Sequence, residues 1–215
     1  MRLLDLMEPE ETVGNLWHEM ASGIGADQSY PDAMVTLSSV RPSLAVLFRA
    51  LGGAAGVALA EAPATLMQHR RPARRKLAAD RDREWVASFD GEQLNLPPVI
   101  AAFPQADLNR AAYFWLTALA ATSDPADAEQ QGEGPEFDCA QIRLNAAASD
   151  VAYRACPGLR DAYAQMAALC IAARPKIMRP AQEASFETAI CDQLNGKTTA
   201  PVAKAASRSY MPFAP

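Results

Sequence analysis

The sequence predicts a predominantly α-helical (α+β) domain of about six helices with a small antiparallel β-sheet. Apolar residues recur at helical spacing in several segments, and an Asp90-Gly91 turn separates two alternating runs. Prolines and glycines stand where these segments should end. The chain of 215 residues is long enough to bury a core without disulfides or metal ions.

Two amphipathic helices are predicted in the first quarter of the chain. The first begins near Pro9 and carries an apolar stripe formed by Val13, Leu16, Trp17 and Met20. The second should end at Gly52-Gly53, and its stripe is formed by Val40, Leu44, Leu47 and Leu51. Between Val57 and Met67 an alternating pattern is interrupted by Pro63, which predicts an edge strand or a bent strand pair near the hairpin.

The segment 84–96 predicts a β-hairpin. Residues 84–89 alternate large apolar and smaller side chains, Asp90-Gly91 is a favoured two-residue turn, and residues 92–96 alternate again. Pro97-Pro98 cannot donate to a sheet ladder, so the second strand should end at Leu96.

The helix that follows the hairpin should organise the core. Pro104 and Asp107 mark its start, and its buried stripe is Leu108, Ala112, Trp115 and Leu119. Further helices are predicted over 137–155 and 159–173, as an antiparallel pair, and over a final segment that contains Phe186, Ile190 and Leu194. The three tryptophans, Trp17, Trp85 and Trp115, lie on apolar faces and are predicted to pack in the core.

Residues 1–196 are predicted to form a single domain with flexible internal loops at 68–83 and 122–135, and residues 197–215 read as a linker. No apolar run approaches the ~20 residues that cross a bilayer, which predicts a cytoplasmic protein with no membrane partner and no signal peptide. The cysteines make no C-x-x-C pair and are predicted to be reduced core thiols: Cys139, Cys156, Cys170 and Cys191.

The motifs that carry chemistry each fail at a required position. His18-Glu19 resembles the start of a zinc-binding H-E-x-x-H helix, but Ser22 stands where the second histidine is needed. Gly196-Lys197-Thr198 resembles the end of a phosphate-binding loop, but Cys191 occupies the place of its first glycine, so a helix cap is the better interpretation. We therefore predict no enzymatic activity, no catalytic residue, no metal and no cofactor.

The strongest polar feature is a basic cluster within 69–83, where seven of fifteen residues are Arg or Lys. Its candidate partner-docking residues are Arg70, Arg71, Arg74, Arg75 and Lys76. One interpretation is a solvated loop that nearby acidic residues partly neutralise; the other is a site that docks an acidic protein surface or a phosphorylated group. The net charge of −5 and the lack of interleaved aromatic residues oppose binding to nucleic acid.

Three stretches carry a resemblance to a known family: VTLSSVRPSLAVLFRALGG (35–53), DGEQLNLPPVIAAFPQADLNRAAYFWLTALAA (90–121) and PGLRDAYAQMAALCIAARP (157–175). They resemble the N-terminal region of the CbbO/NorD family. In that family this region precedes a C-terminal von Willebrand factor A domain, and the proteins partner hexameric MoxR-type AAA+ ATPases, CbbQ-like in the CbbO branch. The metal-site string D-x-S-x-S of that C-terminal domain does not occur here.

The resemblance implies a non-catalytic adaptor module that couples a MoxR-type ATPase hexamer to a client protein. The expected client is rubisco, contacted through the missing C-terminal domain, from which the motor and its adaptor release inhibitory sugar phosphates. The alternative is an adaptor of the NorD type, whose client is nitric oxide reductase.

Overall fold

The computed structural model describes residues 29–66, 83–123, 135–174 and 181–196. Within them lie five α-helices, α1 (Leu37–Ala50), α2 (Ala106–Thr122), α3 (Pro135–Ala155), α4 (Arg160–Ala173) and α5 (Ala181–Leu194). Short 3₁₀ turns span Pro31–Ala33 and Pro157–Leu159. The predicted α+β class is confirmed, and the predicted helix that begins near Pro9 lies outside the described residues.

In the described residues, seven short strands form three small sheets: β1 (Val35–Thr36), β2 (Ala58–Glu61), β3 (Ala64–Leu66), β4 (Arg83–Trp85), β5 (Ser88–Phe89), β6 (Gln93–Leu96) and β7 (Val99–Ile100). β1 pairs with β7 and β3 with β4, both antiparallel. In the three-stranded sheet, β6 pairs antiparallel with β5 and parallel with β2. In the segment 57–67, where an edge strand or a bent strand pair was predicted, the structure has two strands, β2 and β3, with Pro63 between them; they pair with β6 and β4 and not with each other.

The hairpin turn lies one residue later than its sequence predicts, because Phe89 pairs with Leu94 and the two central residues are therefore Gly91 and Glu92. The carboxylate of Asp90 accepts hydrogen bonds from the backbone N–H groups of Glu92, at 2.8 Å, and Gln93, at 2.6 Å. The bond from Gln93, followed by that from Glu92, holds the pKa of Asp90 below its ordinary value. Gly91 has φ of 89°, a conformation that costs glycine little. The hairpin is confirmed from Ser88 to Leu96.

The first predicted strand is shorter than expected. Arg83–Trp85 pairs with β3 instead of continuing into the hairpin, so the alternation is interrupted at Val86 and Ala87. Trp85 is consequently 44% exposed, and its predicted place in the core was wrong. Trp17 lies outside the described residues.

Helix α2 is the centre of the core. It packs against α1, α3 and α4, and Asp107 in its first turn lies at the positive end of the helix dipole. Trp115 is 1% exposed and contacts the rings of Tyr153 and Tyr163, with centroids 5.5 Å and 4.2 Å away. The predicted burial of Trp115 is confirmed.

Helices α3, α4 and α5 form the second half of the described fold. The 3₁₀ turn at Pro157–Leu159 joins α3 to α4, as the Pro-Gly sequence predicts. Cys156 and Cys170 are buried thiols, Cys191 is half-buried, and the side chain of Cys139 lies outside the described residues. Gly196 adopts φ of 68° after α5, which fits the predicted helix cap. Within the ranges described, none of the helices has the length and apolar character to span a membrane.

Candidate interaction surface

The basic cluster predicted from the sequence lies outside the described residues, which include none of Arg70, Arg71, Arg74, Arg75 and Lys76. The loop predicted over 68–83 also lies outside the described residues, except for Arg83, which is the first residue of β4. Likewise, Thr122 and Pro135 are the last residue of α2 and the first of α3. Across the four described ranges, no group of three or more His, Cys, Asp or Glu side chains is placed to hold a metal ion.

An exposed apolar face lies on the ladder formed by β1 and β7. Val35 and Ile100 are paired and point into the core, with exposures of 7% and 2%. Because side chains alternate along a strand, the residues on either side point outward. Two large apolar side chains there are exposed, Met34 by 56% and Val99 by 42%. We refer to this surface as the Met34–Val99 face; Thr36 and Ala101 complete it.

A shallow pocket of about 480 Å³ lies in the chain segments that lead into this face. Its lining is Ser29, Tyr30, Pro31, Asp32, Ala33, Pro104 and Ala106. The backbone N–H of Tyr30 donates to the carbonyl oxygen of Ala101 at 2.8 Å, which joins the pocket to the Met34–Val99 face. Asp32 lines the pocket and Asp107 follows the lining residue Ala106, and both are exposed, so they add negative charge to this part of the surface.

The buried side chain of Asn109, on α2, holds the two segments of this surface together. Its amide nitrogen donates to the carbonyl oxygens of Ala33 and Phe103, each at 2.8 Å. Its amide oxygen accepts from the backbone N–H of Phe103 at 2.9 Å. Asn109 is fully buried, so these bonds satisfy backbone groups that water does not reach.

One turn along α2, Tyr113 provides a second support. Its hydroxyl donates to the carbonyl oxygen of Pro97 at 2.8 Å and lies 3.3 Å from that of Val35. Burial, and to a smaller extent the charge of Glu61, raises the pKa of Tyr113 above its ordinary value, so the hydroxyl remains a donor. Helix α2 thus holds the backbone of β1 at Val35 and the backbone between β6 and β7 at Pro97.

This arrangement is suited to binding. An apolar surface with a polar surround, presented by a preorganised backbone, is the kind of patch on which protein interfaces are centred. Sequence reasoning did not single out Met34 or Val99, because their exposure depends on which face of the β1–β7 ladder meets the core.

The chain is similar to known bacterial proteins, although no family model and no solved structure matches it. It is 37% identical over 175 residues to the protein named NorD of Brucella suis biovar 1, a match that covers 81% of this chain. It is also 37% identical over 189 residues to an uncharacterized protein of Pseudomonas aeruginosa, covering 86% of this chain. To the NorD of Stutzerimonas stutzeri it is 31% identical over 189 residues, covering 87% of this chain.

The match takes in only part of each relative. The chain spans 28% of the length of the Brucella suis protein and 29% of that of the Stutzerimonas stutzeri protein. The matched length includes most of the chain, and the relatives continue beyond the region that is shared. Through this shared region, the chain is a relative of the bacterial proteins named NorD.

Proposed function

We propose that this chain is a non-catalytic adaptor module of the NorD type that serves the activation or maturation of nitric oxide reductase. The observation that carries the proposal is the 37% identity to Brucella suis NorD over 175 residues. Nothing in the matches described above supports the rubisco client predicted from the sequence. The nitric oxide reductase alternative therefore replaces it.

The proposed partner is a hexameric MoxR-type AAA+ ATPase, as the family resemblance implies. We assign its contact to the Met34–Val99 face. Met34 and Val99 offer apolar area on a backbone that Asn109 and Tyr113 hold in place, so little ordering is needed on binding. Because Asp32 and Asp107 lie in the adjoining segments, the complementary surface on the ATPase should be apolar with lysine or arginine around it.

The proposal is tested by measuring binding of the chain to a MoxR-type ATPase from the same organism. Isothermal titration calorimetry should detect association, and Met34→Asp or Val99→Asp should weaken it about tenfold or more, because a charge would be buried at an apolar contact. The matched control is Val46→Asp, since Val46 on α1 is also apolar and 66% exposed. That variant should bind like the parent chain.

Two results would count against the assignment in different ways. Loss of binding in all three aspartate variants would show that added negative charge, and not this face, determines affinity. Absence of binding by the parent chain, under conditions in which a longer NorD relative binds its ATPase, would remove the adaptor proposal itself.

A further inference from the structure

An ion pair with little exposure to solvent sets the register of α4 and α5 along their axes. Arg174, which follows the last residue of α4, contacts Glu187 on α5 through two hydrogen bonds. Its Nε donates to Oε1 at 2.5 Å and its Nη2 to Oε2 at 3.3 Å, and the two side chains are 8% and 19% exposed. This bidentate contact fixes which turn of α4 lies opposite which turn of α5.

One helical turn away from this ion pair, both α4 and α5 carry a cysteine. Cys170 precedes Arg174 by four residues, and Cys191 follows Glu187 by four. Residues four apart lie on the same face of a helix. A short connection joins α4 to α5, which favours an antiparallel arrangement of the two helices. In such a pair, four residues before Arg174 and four residues after Glu187 are equivalent positions along the helix axes, so Cys170 and Cys191 should lie opposite each other.

Helix α3 contacts both α4 and α5. The ring centroids of Tyr153 on α3 and Tyr163 on α4 lie 5.1 Å apart. With its amide oriented to satisfy both partners, Gln193 of α5 donates to the carbonyl oxygen of Ile142 at 3.1 Å and accepts from the N–H of Ala146 at 3.2 Å. Gln193 is two residues from Cys191, and side chains two apart on a helix point to nearly opposite sides, so the contact of Gln193 with α3 leaves Cys191 pointing away from α3.

We propose that Cys170 and Cys191 are a dithiol that oxidation converts into a disulfide linking α4 to α5. Packed helices have axes about 8–10 Å apart and Cα atoms about 2.3 Å from each axis, so facing Cα atoms lie about 3.4–5.4 Å apart, which overlaps the range of about 4.4–6.8 Å that a disulfide spans. With hydrogen peroxide as oxidant, the Cys191 thiolate attacks one peroxide oxygen to give a sulfenic acid and hydroxide. The Cys170 sulfur then displaces the sulfenic hydroxyl as water, so two thiols and one peroxide give one disulfide and two waters.

The order of these two steps follows from exposure. Cys191 is half-buried, whereas Cys170 is fully buried and burial raises the pKa of its thiol to about 12. A peroxide therefore meets Cys191 first, and closure by Cys170 is the slow step. The cross-link should form under sustained oxidation and should be absent while a reductant is present.

The test is oxidation of the folded chain with hydrogen peroxide, followed by intact mass measurement and peptide mapping without reduction. We expect a mass loss of two hydrogens, a peptide pair joined through Cys170 and Cys191, and a melting temperature raised by roughly 5 °C or more, reversed by dithiothreitol. Cys191→Ser should abolish the cross-link. Cys156→Ser should leave it intact, because Cys156 lies beyond the N-terminal end of α4.

Because Cys170 is fully buried, its replacement can disturb folding, and the half-buried Cys191 is the informative position. A disulfide from Cys191 to Cys139 would overturn the proposal. So would oxidation of Cys191 to sulfinic acid with Cys170 remaining a thiol, since either result would mean that the two sulfurs do not meet.

Discussion

Replacing Asn109 with alanine is expected to lower the free energy of unfolding by about 3–5 kcal/mol, because three buried backbone groups lose their partners at about 1–3 kcal/mol each. Those groups are the N–H and C=O of Phe103 and the C=O of Ala33. Urea denaturation followed by circular dichroism measures the change. A loss below about 1 kcal/mol would show that these bonds do not hold the surface.

Asn109→Asp is the matched variant, because it keeps the size of the side chain and the acceptor for Phe103 N–H. A carboxylate placed against the carbonyl oxygens of Ala33 and Phe103 has a folded-state pKa above its unfolded value. Its destabilisation should therefore be largest near neutral pH and should shrink as the pH falls and the carboxyl is protonated. The parent chain should lack this difference between pH 7 and pH 5, and an equal deficit at both values would contradict the assigned geometry.

Replacing Trp115 with alanine should cost about 3–5 kcal/mol, the range for removing a large buried aromatic side chain. Trp115 is 1% exposed and joins α2 to α3 and α4 through its contacts with Tyr153 and Tyr163. Chemical denaturation measures the free energy of unfolding, and the near-ultraviolet circular dichroism signal of the aromatic cluster should be lost.

Trp115→Phe is the control for ring volume, and it should cost less than half as much, because a ring remains against both tyrosines. Equal losses for phenylalanine and alanine would mean that the indole itself, and not the packing of three aromatic rings, is required.

The local parts of the fold were predictable from the sequence. Asp90-Gly91 favours a hairpin turn whatever surrounds it, and the stripe from Leu108 to Leu119 has one periodicity that fits only a helix. Gly196 likewise ends the last helix for a local reason, since glycine adopts positive φ readily. Each of these features depends on residues close together in the chain.

The parts that failed depend on distant pairing. Whether residues 83–85 extend the hairpin or pair with β3 is decided by a strand about twenty residues earlier in the chain. The alternating pattern of residues 84–89 is compatible with both pairings. The parallel pairing of β2 with β6 is non-local in the same way. A pattern that specifies a strand does not specify its neighbour.

The candidate surface was the least predictable part. Asn109 did leave a signal, since it lies on the apolar stripe that continues through Tyr113 and Leu116, where an amide must find buried partners. Which backbone groups it serves, at Ala33 and Phe103, could not be read from spacing. Met34 and Val99 look like ordinary apolar residues until the β1–β7 pairing leaves them outside.

The central claim is most directly tested by a chimera in which this chain replaces the matching 28% of Brucella suis NorD. The chimera would be expressed in a Brucella strain that lacks its NorD, and nitric oxide consumption would be measured with an electrode. We expect the chimera to restore consumption to within a few fold of native NorD, and the Asn109→Ala chimera to fail. A chimera that accumulates to the native level and leaves nitric oxide unconsumed would contradict the adaptor function proposed for this chain.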